Sequence, residues 1–381
     1  MKKKILFVIP DFAHGGTNKT LENYLPLLTA YDVFIFCHTG SKREGYYFDL
    51  FRPYLIPLFL LNYIVKVNFI TRKLFTILFR CLPNIKDTID RKEIEYIQRK
   101  HKFDVVIAFQ EGDTTRYVSK LLGVNKIVWL HSFYKPLEQK SRHQEFWSLY
   151  RSFNHVVCVS EELKKCFIQF YPSLAKQTVQ IYNPINSEKV KELSSDIIGE
   201  PLAVYDGFNG FKILSIGRLD KVKNFHLIPD IISKIKGEKE HMFRWYVIGS
   251  AFDDAYKQEL MKQIHIHHVE DELVILGQKD NPYPYIKQAD LVACTSDSES
   301  FSYVINEAKI LHTPIISNNF PVAKEVLPSD CGWISSLEDM PDMLYHIIND
   351  VDGVYSKVQK TISGYSYPNE HIVEKIKQIL K

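Results

Sequence analysis

Residues Thr295–Asn319 read TSDSESFSYVINEAKILHTPIISNN. The apolar run just before them, Ala289 to Cys294, is short and continuous, as a buried strand is. It gives way to a polar loop, Thr295 to Ser300. From Phe301 to Leu311 the pattern reads as a helix, with Ser298 or Ser300 as its N-cap. Thr313 to Ser317 is the next strand. A loop between the carboxyl end of a strand and the start of a helix is where open α/β sheets bind ligands. The first amides of that helix, around Ser302, Tyr303 and Val304, offer N–H groups and the positive end of a dipole, which suits a phosphate. Glu299 lies in the loop and Glu307 eight residues on, inside the helix. Carboxylates accept and do not donate, so beside a phosphate they pair with the hydroxyls of a ribose or a sugar ring.

Upstream, Phe211 to Leu219 forms a strand with Arg218 at its carboxyl end, and Lys223 follows ahead of a helix from Phe225 to Ile235. An arginine fork and a lysine point charge at the mouth of a parallel sheet fit a diphosphate. Trp245 to Gly249 is a further strand, followed by a helix from Asp254 to Ile264. His265, His267 and His268 cluster at that helix end, but no carboxylates accompany them at metal-ligand spacing, and no metal site is expected. In the first half, Lys4 to Ile9 is a strand. Asp11 to Thr17 is a loop carrying Gly15-Gly16, and a helix runs from Asn18 to Leu28. The double glycine lets backbone approach a ligand. It matches neither the dinucleotide nor the P-loop spacing. Strands at 33–37, 104–109, 126–130, 155–159 and 179–182 alternate with helices, which predicts parallel sheets covered on both faces. His131 ends one of these strands.

At 381 residues the chain exceeds one ordinary core and fits two domains. A net charge of +3 gives no reason to expect a nucleic-acid partner. Six cysteines stand at 37, 81, 158, 166, 294 and 331 without a Cys-x2-Cys pair, a pattern of reduced thiols in a cytoplasm. The apolar run after the N-terminal lysines ends at Pro10 and is too short for a signal peptide.

The Glu299-x7-Glu307 spacing, the Gly-Arg-Leu-x3-Lys-Asn element from Gly217 to Asn224, and the Gly15-Gly16 loop resemble the signature of bacterial family 4 glycosyltransferases. These are retaining enzymes of GT-B fold that build surface polysaccharides such as lipopolysaccharide or capsule. The likeness runs from Gly15 to the end of the chain and is strongest from Gly217 to Asn319. It departs from the family at Asn18-Lys19, at Ser250-Ala251 and at Ser302, where glycine is common. The resemblance implies two Rossmann-like domains facing each other across a cleft. The first spans 1–185, on the acceptor side, completed by a terminal helix at 366–381; the second spans 186–365 and binds the nucleotide sugar. It further implies a UDP- or GDP-sugar donor, no cofactor and no metal. Arg218 and Lys223 would hold the diphosphate, Glu299 and His131 face the donor sugar, Glu307 hold the ribose and Gly277 lie by the base. Two other readings remain open. One is an Asp-x-Asp-like metal site at Asp297-Ser298-Glu299, and the other a non-catalytic nucleotide-sugar sensor on the same scaffold.

Residues 50–86 break the alternation, with six basic residues, seven aromatics and no acids. Lys66, Lys73 and Arg80 recur every seven residues, and the uncharged run is too short to span a bilayer. This is the pattern of a helix lying on an anionic membrane surface, where a lipid-linked glycan acceptor would be met, or of a core helix with a wet basic edge. The stretch 186–211 reads as the interdomain connection.

Overall fold

The computed structural model describes residues 1–13, 15–38, 45–56, 83–132, 143–196, 208–236, 242–251 and 253–381. The basic aromatic segment, with Lys66, Lys73 and Arg80, lies almost wholly outside them. The described chain divides into two compact units: 1–184 with 369–381, and 185–368. Each is built on a six-stranded, wholly parallel sheet, as two Rossmann-like domains are.

In the first unit the strands are β1 (Lys4–Ile9), β2 (Asp32–Cys37), β3 (Val105–Ala108), β4 (Asn125–Leu130), β5 (His155–Cys158) and β6 (Thr178–Gln180), ordered β2-β1-β3-β4-β5-β6. Their interiors are almost uninterrupted Val, Ile, Leu and Phe, and Ile5 to Ile9 and Val105 to Ala108 are fully buried. A sheet covered on both faces asks for apolar runs of this kind. The Asn369–Ile379 helix, at the far end of the chain, belongs to this unit. Lys375 Nζ donates to the Gln180 side chain at 2.9 Å and to its carbonyl at 3.3 Å.

In the second unit β7 (Phe211–Ile216), β8 (Phe243–Ile248), β9 (Leu273–Gly277), β10 (Leu291–Cys294), β11 (Ile315–Asn318) and β12 (Gly332–Ser335) run in the order β12-β11-β10-β7-β8-β9. The order reverses at β7, which pairs with β10 on one side and β8 on the other. A buried hydroxyl fastens this junction. Ser215 Oγ donates to the Ala293 carbonyl at 2.7 Å and accepts from Trp245 Nε1 at 2.9 Å, so one side chain ties β7 to both neighbours. Such a bond in a dry core is costly to break.

Several boundaries differ from the pattern-based reading. The helix expected from Phe225 is a short 3-10 turn, Phe225–Leu227, leading into Ile228–Lys236. Residues 186–211, expected as the interdomain connection, contain a helix, Ser187–Leu193, capped by Asn186 Oδ1 accepting from the Lys189 N–H at 3.0 Å. Its end is held by Asn281, whose Nδ2 donates to the Leu193 carbonyl at 2.9 Å. Polar composition concealed a helix whose apolar contacts come from elsewhere in the unit.

Glycine is required sterically where β7 and β8 end. A Cβ at Gly249 would lie 1.8 Å from the Gly217 carbonyl oxygen and 2.8 Å from Leu219 Cδ1. Gly249→Ala must therefore push two strand ends apart. It should destabilise the protein by about 3 kcal/mol, the upper range for overpacking. That corresponds to a fall of roughly 6–12 °C in Tm for the second unit. A thermal melt within about 1 °C of wild type would contradict the packing described.

Candidate active site

Because the strand order reverses at β7, the loops leaving β7 and β10 start side by side at the carboxyl edge of the second sheet, the place where open α/β sheets form their ligand crevice. The residues singled out in the sequence for phosphate chemistry sit on these two loops. Lys223 Nζ donates to Glu299 Oε1 at 2.5 Å, and Ser296 Oγ donates to the same oxygen at 2.9 Å. Glu299 Oε2 has no hydrogen-bond partner among the described residues. Burial works against the charge on Lys223, but Glu299, Cys294 and Asp220 outweigh it and hold its pKa above the ordinary value. The lysine is therefore a permanent cation. Gly217 makes room for it: a Cβ there would come within 3.2 Å of Lys223 Cε.

The two loops are bonded to each other. Thr295 Oγ1 donates to the Lys223 carbonyl at 2.6 Å, and the Asp297 N–H to the Val222 carbonyl at 2.8 Å. Asn224 Nδ2 donates to Asp297 Oδ1 at 2.6 Å and to the Thr295 carbonyl at 3.2 Å. Asn224 has φ +56°, a left-handed conformation that asparagine tolerates better than most side chains. Asp297 thus serves as a structural acceptor, with Glu299 turned to a lysine. No group of three or more metal-ligating side chains occurs among the described residues. Of the three clustered histidines, His265 pairs with Glu270 at 3.2 Å and His267 with the Ser233 hydroxyl at 3.2 Å.

Arg218 is placed differently from Lys223. Its Nε donates to Asp220 Oδ2 at 2.7 Å, on its own loop, and the side chain is 61% exposed. The expected N-caps Ser298 and Ser300 do not cap the next helix. It runs Tyr303–Ile310 with Ser302 at the N-cap, φ +56° and no side-chain hydrogen bond. This is the physical reason glycine is common at the position: a Cβ is disfavoured there. It also leaves the helix start without a side-chain acceptor, as an anion site requires. Asn306 Nδ2 instead steadies the preceding backbone, donating to the Phe301 and Ser302 carbonyls at 3.2 and 2.9 Å.

Glu307 lies on the Tyr303–Ile310 helix that follows the Glu299 loop. It is 2% exposed and accepts from the Tyr283 hydroxyl at 3.2 Å. Nothing in the sequence pattern marks its neighbour Lys309, which is buried as well. That side chain donates to the Val326 carbonyl at 2.6 Å above the Tyr365 ring, and burial lowers its pKa to about 8. Gly277 ends β9 at φ +70°, beside a 770 Å³ cavity that Leu219, Ser250, Asp254, Lys257 and Gln278 also line. Ser250 contributes its carbonyl to the Leu219 N–H at 2.9 Å.

His131, Gly15 and Gly16 belong to the first unit, at the carboxyl edge of its sheet. Gly15 is extended, φ 177°, and a Cβ on it would meet nothing within 4 Å. Its value is therefore open space above the Gly16–Tyr24 helix, with no special backbone shape. Asn18 in that helix donates from Nδ2 to the Asp11 and Ala13 carbonyls at 3.2 and 2.9 Å, shaping the loop. The His131 N–H donates to Glu111 Oε2 at 2.9 Å, and its ring packs edge-on to Phe109 at 4.9 Å. Nε2 is buried without a hydrogen-bond partner among the described residues. Burial lowers the His131 pKa to about 3, so the ring is neutral at pH 7.

Residues 15–189 match the family model described as Glycosyltransferase Family 4, and residues 208–351 the model described as Glycosyl transferases group 1. Over 141 residues, 37% of the chain, identity is 29% to the N-acetylgalactosamine-N,N'-diacetylbacillosaminyl-diphospho-undecaprenol 4-alpha-N-acetylgalactosaminyltransferase of Campylobacter jejuni, of which 34% is covered. Over 184 residues, 48% of both chains, it is 24% identical to an Escherichia coli O-antigen biosynthesis glycosyltransferase, WclY. The chain thus spans about a third and about half the length of these two curated relatives. The Anabaena protein HepE, solved in complex with UDP, superposes with a TM-score of 0.74 over 99% of both chains at 18% identity, a likeness of fold. With one model on each unit and this fold throughout, the chain belongs to the family 4 glycosyltransferases of GT-B fold.

Proposed function

We propose that the protein moves a sugar from a UDP- or GDP-linked donor to a hydroxyl of a glycan acceptor, with retention at the anomeric carbon and without a metal ion. The observation that carries this reading is the contact between Lys223 and Glu299 at the point where the second sheet reverses its strand order. One group is a fixed cation for a leaving diphosphate, and the other a carboxylate with an oxygen to spare for a sugar hydroxyl. Breaking the bond from the anomeric carbon to the phosphate oxygen leaves negative charge on the diphosphate. Lys223, Arg218 and the amides near Ser302 to Val304 stabilise it as it develops. The acceptor oxygen bonds to the same face of that carbon, and its proton passes to the departing phosphate. No side chain acts as nucleophile. His131, neutral and with an unpartnered nitrogen, supplies a hydrogen bond to the donor sugar, and Glu307 holds the ribose.

A lipid-linked acceptor in surface-polysaccharide assembly fits the printed descriptions of the two curated relatives, one acting on a diphospho-undecaprenol glycan and the other in O-antigen biosynthesis. Among the described residues no helix is long and apolar enough to cross a membrane. The basic aromatic segment 50–86 would then hold the enzyme on the cytoplasmic face, and Tyr46 and Leu50 at its start are exposed. Each cation near an anionic surface adds about 1 kcal/mol, screened within a Debye length.

Lys223→Ala should lower kcat/KM by about 10²–10³, the usual loss for one preorganised charge on a leaving group. Arg218→Ala, at a wetter position, should cost roughly tenfold. Wild-type kinetics in either variant would contradict the assignment. Turnover should persist in excess chelator, whereas full loss restored by Mg²⁺ or Mn²⁺ would overturn the metal-free mechanism.

Binding to anionic liposomes should be salt-sensitive and should drop on combining Lys66→Glu, Lys73→Glu and Arg80→Glu. Equal solubility of wild type and variant with anionic and neutral liposomes at low salt would remove the membrane from the account.

A further inference from the structure

Asp220 stands between the two cations of the phosphate loop and bonds to both of their residues. Its Oδ2 accepts from Arg218 Nε at 2.7 Å. Its Oδ1 accepts from the backbone N–H groups of Val222 and Lys223, at 3.1 and 3.2 Å. The side chain is only 12% exposed, so neither bond competes with much water. On either side the loop is anchored to the sheet or its neighbour, by the Leu219 N–H on the Ser250 carbonyl and by Thr295 Oγ1 on the Lys223 carbonyl. Between those anchors the aspartate sets both the course of the backbone into Lys223 and the plane of the guanidinium, hence the direction in which its terminal nitrogens point.

We propose that Asp220 is a positioning residue that holds Arg218 and Lys223 in register for the second phosphate of a nucleoside diphosphate. The inference rests on the diphosphate reading given above. It is not the obvious role for a carboxylate at that place. A second anion beside a diphosphate repels it, and as a mere counterion Asp220 would weaken donor binding, so that its removal tightens it. The two roles therefore predict opposite signs. Positioning prevails because the carboxylate is committed to two amides and a guanidinium at once, and a fork set at the wrong angle loses its paired contact with a phosphate.

The test is calorimetric titration of wild type, Asp220→Asn and Asp220→Ala with UDP and UMP, and with GDP and GMP in parallel, beside Lys223→Ala. Asp220→Ala should bind the diphosphate about tenfold more weakly with little change for the monophosphate, which lacks the group the register serves. Asp220→Asn keeps an acceptor for the two amides and should recover part of that loss. Thermal melts accompany each variant, and if the alanine variant does not fold, the asparagine variant carries the comparison with a smaller loss confined to the diphosphate. Unchanged or tighter diphosphate binding would overturn the proposal, as would an equal loss for diphosphate and monophosphate. Should Lys223→Ala bind the diphosphate as wild type does, it is the diphosphate site itself that is misplaced, whatever Asp220 does.

Discussion

The Lys223–Glu299 pair depends on two loops, more than seventy residues apart in sequence, that are bonded to each other through both backbone and side chains. Parallel strands β7 and β10 lie adjacent at the reversal of the second sheet, and Ser215 fastens them from within. Thr295, Asp297 and Asn224 then carry that fastening out of the sheet and into the crevice. A lone lysine so deeply placed would be disfavoured as a cation, and a lone carboxylate as an anion. Together each stabilises the other's charge.

Much of this was legible in the sequence. Strand positions followed from apolar runs that parallel sheets require, and the loop–helix arrangement after β10 from the abrupt change to polar residues at Thr295. Arg218, Lys223 and Glu299 stood out in the sequence because their chemistry and their places at strand ends agreed, and the structure brings Lys223 and Glu299 into contact. What escaped were bonds spanning long separations. Nothing local to Asp297 says that it will accept from Asn224, and nothing near Glu307 says that Tyr283 will reach it. Asp220 did leave a signal, since an aspartate immediately before a turn is an N-cap pattern, and it caps Lys221–Lys223. The helix start was misplaced because three serines compete at 298, 300 and 302, and serine is a poor guess for a residue at positive φ.

The first unit follows the same logic with different means. Its candidate groups carry no permanent charge: a neutral imidazole at His131, held by its backbone to Glu111, and open space over Gly15. The Lys223–Glu299 ion pair, by contrast, belongs to the second unit.

The most direct test of the central claim is a crystal structure of the protein grown with UDP. The second phosphate should lie within about 3 Å of Lys223 Nζ and of an amide at the start of the Tyr303–Ile310 helix. A diphosphate bound elsewhere, with Lys223 still closed on Glu299 and the helix start empty, would contradict it.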